Sequence, residues 1–258
     1  MPRKRQGWTS GFAQWPRLAA GTFRGGRACP GNGARASGAE AASDRGRLWV
    51  PGWKRGIDLL CCVVGIPLFA IVTLGWALVL RLSSPGPLLF RQERVGRLGV
   101  RFQIFKFRTM QHSGGANKHR QHMTRMIENN APMHKLDTTG DSRLIPGGWL
   151  LRALGLDEIP QLVNVWRGEM SIVGPRPCIP YEYEYYTEIQ RERFHGVPGL
   201  TGLWQVSGKN RTTFEEMIHL DREYLRRQCL LLDLWIIVLT IPALCVQLGD
   251  TLRSRLCR

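Results

Sequence analysis

The 258-residue chain has no C-x-x-C pair, no H-E-x-x-H and no Gly-x4-Gly-Lys-Ser/Thr. Its cysteines (Cys29, Cys61, Cys62, Cys178, Cys229, Cys245 and Cys257) are odd in number and irregularly spaced. A disulfide framework or a thiolate zinc site is therefore not expected, and reduced thiols are. "SGKN" at residues 207–210 is not a phosphate-cradling P-loop, because the flanking glycine spacing is missing. His119 and His122, three apart in a polar stretch, do not read as metal ligands. No apolar h-region lies near the N-terminus, so no signal peptide is expected. Acidic residues are also scarce, 20 against 36 Lys and Arg, leaving a formal charge of +16. That balance points to anionic partners: nucleic acid, anionic lipid or phosphorylated substrates. Basic blocks interleaved with aromatics are absent too, so nucleic acid is not expected.

What is present divides into four stretches. Residues 1–48 are rich in Gly, Ala and Arg, with nine Lys/Arg against two Asp/Glu and no apolar periodicity. They read as a disordered basic tail. Residues 49–84 hold a run, 59–80, without any charge. At about 1.5 Å per residue it extends roughly 33 Å, enough to cross a bilayer. Lys54 and Arg55 precede the run, Arg81 closes it, and Trp53 and Trp76 suit an interface. On length alone the reading is one spanning helix. Pro67 in its middle weakens the hydrogen-bond ladder, Asp58 lies near its N-terminal edge, and cations at both ends give little asymmetry. A helix that enters the lipid, breaks at Pro67 and returns to the same face satisfies all three observations. Residues 85–250 read as a soluble domain and 251–258 as a C-terminal tail.

Within the soluble part, "PLLFRQERVG" and "RFQIFKFRTM" alternate around the turn at residues 96–99, which predicts a β-hairpin. Residues 111–140 are polar, with loop and helix expected. "GGWLLRAL" predicts a short amphipathic helix. "DEIPQLVNVWRG" predicts another, with acids at its start, Pro160 in its first turn and Gly168 beyond its end. "RTTFEEMIHLDREYLRR" has helical spacing in Phe214, Met217, Ile218, Leu220, Tyr224 and Leu225. The last apolar run, 234–246, is too short to span and reads as an interfacial helix.

The residues suited to chemistry are few. Asp157 and Glu158 are adjacent among apolar neighbours. Neighbouring helical residues point about 100° apart, so they cannot face each other unless the backbone turns. One reading makes Asp157 an N-cap and Glu158 a first-turn acid, both structural. The other uses the exposed amides of a helix start to hold phosphate beside them. Basic residues beside turns or apolar neighbours (Lys106, Arg108, Arg143, Arg152, Arg176 and Lys209) could converge on a diphosphate, since Arg forks match phosphate oxygens.

In order and wording, "KRGIDLL", "SSPGPLLFRQERVGR", "FQIFKFRTM", "LRALGLDEIPQLVNVWRGEMSIVGPRP", "PGLTGLWQVSGKN" and "LDREYL" resemble the bacterial sugar transferases, the small monotopic phosphoglycosyl transferases. The resemblance covers about three quarters of the chain. It implies an α/β (α+β), mostly helical cytosolic domain with a short hairpin. A re-entrant membrane helix broken at Pro67 and interfacial amphipathic helices would anchor it at the cytoplasmic face of the bacterial inner membrane. It implies transfer of a phosphosugar from a UDP-sugar to undecaprenyl phosphate with release of UMP, the first membrane step of exopolysaccharide, lipopolysaccharide or other glycoconjugate assembly. Asp157 would be the nucleophile that forms an aspartyl-phosphosugar, and Glu158 would bind Mg2+. Lys106, Arg152 and Arg176 match basic active-site positions, and Lys209 falls where many relatives have Arg. Membrane lipids and downstream glycosyltransferases are the implied partners. Ile66 stands where the usual break has Ser, and "DSRLI" replaces the common D-P-R-I-T. A non-catalytic, membrane-anchored lipid- or nucleic-acid-binding module is the competing class, one that has no use for "LDEIPQ".

Overall fold

The computed structural model describes residues 50–111, 143–208 and 212–256. The basic tail, most of the polar stretch at 111–140, and Lys209 lie outside them. The described chain is mostly helical, with one short hairpin and two apolar helices long enough to cross a membrane by length and composition.

The first apolar helix, α1 (Gly52–Ser83), runs through Pro67 without a non-helical residue. The expected helix-break-helix is thus drawn as a single helix, because the fixed φ of proline is itself helical and only one ladder bond is lost. One face of α1 packs on the soluble domain along its whole length. Lys54 Nζ donates to Val173 O at 2.7 Å, and Asp58 accepts from Ser171 Oγ at 2.9 Å. Cys62 Sγ lies 3.7 Å from Leu162 O, and a Cβ on Gly65 would meet the Leu162 side chain at 2.9 Å. Phe69 stacks on Phe107, with centroids 6.3 Å apart. Trp76, expected at an interface, is instead buried, its Nε1 donating to Arg108 O at 3.1 Å. The steps from 54 through 58, 62, 65, 69, 72, 76 and 80 are threes and fours, one stripe of a helix. The opposite stripe exposes Leu60, Val64, Ile71, Leu74, Leu78 and Leu82.

The hairpin forms as expected. β1 (Leu89–Val95) pairs antiparallel with β2 (Arg101–Phe107), in a register that sets Leu89 opposite Phe107 and Val95 opposite Arg101. Behind it follow α2 (Gly148–Ala153), a 3-10 turn (Leu156–Gln161) and α3 (Leu162–Arg167). Gly168, at φ 83°, ends α3 in the left-handed region as expected. Arg55 of α1 donates to the last-turn carbonyls of Val165 and Trp166, each at 2.6 Å. A pairing not expected from the sequence joins β3 (Ser171–Val173) in parallel with β4 (Gly199–Thr201). The two chains meet so closely that a Cβ on Gly199 would lie 2.1 Å from the Gly174 nitrogen. The remaining elements are α4 (Pro180–Glu184), α5 (Glu188–Arg191), α6 (Leu203–Val206), α7 (Phe214–Arg227) and α8 (Leu230–Leu256). A capping box starts α7: Thr213 Oγ1 accepts from Glu216 N, and Glu216 Oε2 from Thr213 N. Its expected apolar residues Phe214, Met217, Ile218 and Tyr224 are buried.

The second apolar helix corrects the reading of the C-terminus. α8 is 27 residues long and covers most of the stretch read as a tail, so the apolar run at 234–246 understates it. Its flanking polar residues have partners: Asp233 with Lys54, and Gln247 Nε2 with Arg152 O and Ala153 O. Helix therefore continues past the apolar limits. Lys54, read as a cationic flank of the membrane run, is 2 % exposed and forms an ion pair with Asp233 at 2.6 Å. Tyr224 closes this network, donating to Asp233 Oδ1 at 2.7 Å.

Candidate active site

The acids sit on the 3-10 turn that precedes α3. Gly155, at φ 70°, takes the N-terminal cap position without a side-chain cap bond, so Asp157 is not the N-cap but lies within the first turn. Asp157 is buried at 7 % exposure, and Glu158 is half-buried. Both line a cavity of about 930 Å³. Strand β2 runs beside this turn, and from it Lys106 Nζ donates to Glu158 Oε1 at 2.7 Å. Burial lowers the Lys106 pKa, while the charges of Glu158 and Asp157 oppose that shift.

Arg152, in the last turn of α2, lines the same cavity, and its Nη1 reaches Thr109 Oγ1 and Met110 Sδ. Arg176, on the turn after β3, does not line the cavity, and its charge adds to the lowering of the Lys106 and Arg94 pKa values. Arg94 is a basic residue that sequence reasoning missed. It is buried, its charge interacts with that of Glu158, and burial, then Arg176, lowers its pKa to about 10. Its signal was its place within "FRQERVGR", where it looks like its exposed neighbours.

Two expected phosphate ligands are placed elsewhere. Arg108 turns away from the dyad to the end of α1, where Nη2 donates to Ser84 O at 2.6 Å and Nη1 to Ser84 Oγ and Pro85 O. Lys106 lies within β2 and Arg108 beyond its end at Phe107, so the strand does not hold the two on one face. Arg143 is half-buried, pairs through its backbone carbonyl with Gln111 N, and does not line the cavity.

The rest of the cavity is amphipathic. Thr201, Gln205, Ser207, Thr212 and His219 supply polar groups, and Ile237, Ile241 and Leu244 of α8 an apolar wall. Among the described residues no group of three His, Cys, Asp or Glu could hold a metal unaided. Glu158, half-buried and lining the cavity, has the oxygen donor that a Mg2+ completing its shell with substrate phosphates and water would need.

The model of the family described as "Bacterial sugar transferase" matches residues 49–247. The chain belongs to that family. Among relatives of the sugar transferase, the exopolysaccharide production protein ExoY of Sinorhizobium fredii (strain NBRC 101917 / NGR234) is 38 % identical over 205 residues, 76 % of this chain and 87 % of its own. The UDP-glucose:undecaprenyl-phosphate glucose-1-phosphate transferase of Caulobacter vibrioides is 38 % identical over 199 residues, 74 % of this chain and 69 % of its own. The UDP-N-acetylgalactosamine-undecaprenyl-phosphate N-acetylgalactosaminephosphotransferase of Aeromonas hydrophila is 33 % identical over 202 residues, 76 % of this chain and 44 % of its own. This sugar transferase is thus an enzyme of the phosphoglycosyl transferase class, and the non-catalytic binding module is set aside.

Proposed function

We propose that this sugar transferase moves a phosphosugar from a UDP-sugar to undecaprenyl phosphate, releasing UMP, through a covalent intermediate on Asp157. The observation that carries the proposal is one cavity that joins the Asp157–Glu158 turn and the Arg152 side chain to an apolar wall from α8. A diphosphate needs the cations and an isoprenoid chain needs the wall. A carboxylate oxygen of Asp157 attacks the sugar-linked phosphorus, the bond to the bridging oxygen breaks, and UMP leaves with that electron pair. A phosphate oxygen of the lipid then attacks the same phosphorus, and the Asp157 carboxylate is regenerated. One displacement between two anions becomes two at a single buried oxygen. Lys106, Arg152 and Arg176 balance the charge that gathers around the phosphorus. Mg2+, held by Glu158 with the diphosphate, would neutralise charge on the phosphates. Lys106 fixes the Glu158 carboxylate for that role.

The same reading places both ends of α1 at the cytoplasmic face of the inner membrane. Its support is that Lys54 near one end and Trp76 near the other are both buried against the soluble domain. A helix that left the domain to cross the bilayer would bury only one end. The outward stripes of α1 and α8 then face lipid, an interfacial seat. Downstream glycosyltransferases would extend the lipid-linked sugar.

The test is a panel of UDP-hexoses and UDP-N-acetylhexosamines with undecaprenyl phosphate, scored by UMP release. At least one donor is expected to turn over, and Asp157→Asn to lose more than about 1000-fold in rate. It should also lose capture of labelled phosphosugar on protein. Wild-type turnover retained in that variant overturns the covalent route.

A further inference from the structure

The turn that presents Arg176 has no regular secondary structure, yet its carbonyls are bonded in succession. Pro175 O accepts from Gly199 N at 2.9 Å, and Cys178 O from Val95 N at 2.8 Å. Between them, Arg176 O accepts from Arg193 Nη2 at 2.9 Å and Pro177 O from Arg94 Nη1 at 3.2 Å. Two of these four donors are buried guanidinium groups. A buried charge is costly unless paired and fully bonded, so its presence needs a reason beyond cohesion. Arg193 is 1 % exposed, forms an ion pair with Asp221 and donates to Tyr186 Oη at 3.1 Å. Asp221, also 1 % exposed, holds the Arg193 guanidinium in that place. Residue 176 is therefore gripped at its carbonyl by Arg193, which Asp221 fixes in turn. Neither gripping side chain lines the cavity.

We propose that the buried Arg193–Asp221 pair is a positioning device that fixes where the Arg176 guanidinium stands relative to the Asp157–Glu158 dyad. The inference rests on reading that dyad as a phosphoryl-transfer centre. An arginine on an irregular turn has a mobile base as well as a mobile side chain. Clamping its peptide removes the first source of motion, and small misplacements of a group at the reacting phosphorus are expensive in rate. The forked guanidinium of Arg193 suits the task because it can bond the Asp221 carboxylate and the Arg176 carbonyl together, which a lysine ammonium does with poorer geometry. Asp221 and Arg193 come from different elements, α7 and the turn after α5. The clamp thus ties the Arg176 turn to the helical layer behind it.

A double-mutant cycle tests this, with steady-state UMP release as the readout. Arg193→Lys keeps the charge and is expected to lower kcat by about 10-fold or more, with the donor KM changed less than about 3-fold. In an Arg176→Gln background the same substitution is expected to change kcat less than about 2-fold, since the group it positions is gone. An equal loss in both backgrounds overturns the proposal and makes Arg193 a general support. Asp221→Asn is run through the same cycle with the same expectation, and stands in if Arg193→Lys fails to accumulate. Tyr186→Phe removes a partner of Arg193 but leaves its bonds to Arg176 O and Asp221, so kcat should stay within about 2-fold of wild type. A loss matching that of Arg193→Lys would also overturn the proposal. Absence of UMP release by the wild-type enzyme with every donor would instead defeat the reading of the site itself.

Discussion

Lys54→Met is expected to destabilise the whole protein, although Lys54 lies far from the dyad in sequence. Its ammonium is 2 % exposed and makes three short contacts: Val173 O at 2.7 Å, Tyr224 Oη at 3.0 Å and Asp233 Oδ2 at 2.6 Å. Without it the Asp233 carboxylate, 1 % exposed, keeps only the Tyr224 hydroxyl at 2.7 Å. Removing one partner of a buried ion pair costs about 3–5 kcal/mol. A domain has in total about 5–15 kcal/mol. For a chain of this size 1 kcal/mol moves Tm by about 2–4 °C, so the expected fall is roughly 6–20 °C. The assay is thermal unfolding of the detergent-solubilised enzyme, followed by tryptophan fluorescence. Because the cost comes from the orphaned charge, Lys54→Met/Asp233→Leu should recover at least half of the loss. A single variant within about 2 °C of wild type would refute the reasoning. So would a double variant as unstable as the two single losses combined.

Three further outcomes follow from the site and the membrane helix. Glu158→Gln is expected to lose about 100-fold in rate and its response to added Mg2+ together; an unchanged Mg2+ titration removes Glu158 from the metal site. Burial lowers the Lys106 pKa, so its charge is lost as pH rises through a value below that of an ordinary lysine. The kcat/KM profile should fall on that alkaline limb, and Lys106→Arg should move the limb upward; an identical limb in the variant refutes the assignment. A single Cys at position 43, replacing Ser43 in an otherwise Cys-free protein, should react with an impermeant reagent only after lysis, and labelling of intact cells would make α1 a spanning helix.

Local pattern sufficed where a single element carries its own signal. The hairpin shows in its alternation, and α7 in the Thr213–Glu216 cap and its apolar spacing. The dyad needed the wording of the whole motif, because two adjacent acids do not by themselves distinguish a cap from a nucleophile. What the sequence hid was mostly long-range. Trp76 and Lys54 look like interfacial flanks until Arg108 O and Asp233 are seen opposite them. Asp233 and Gln247 seem to bound the last apolar run, yet each has a buried or half-buried partner that lets α8 continue. β3 and β4 are three residues each, too short for any period. Arg94 and Arg108 carry the same charge and lie on the same hairpin, and only the packing separates the one beside Glu158 from the one holding Ser84.

The clasp that closes α1 against α8 spans 179 positions of sequence. At about 5–20 residues per second, the ribosome reaches Asp233 roughly 10–35 s after Lys54 emerges. Until Val165 is made, more than half of that interval, α1 exists as an apolar segment carrying Lys54, Arg55 and Asp58 with none of their eventual partners yet made. Val165, Val173, Tyr224 and Asp233 arrive in that order, so the Lys54 charge meets its counterion last. The nascent helix must therefore find its depth and direction in the lipid before the fold exists to hold it. In the proposed seat, the finished domain closes on a helix already lying at the membrane.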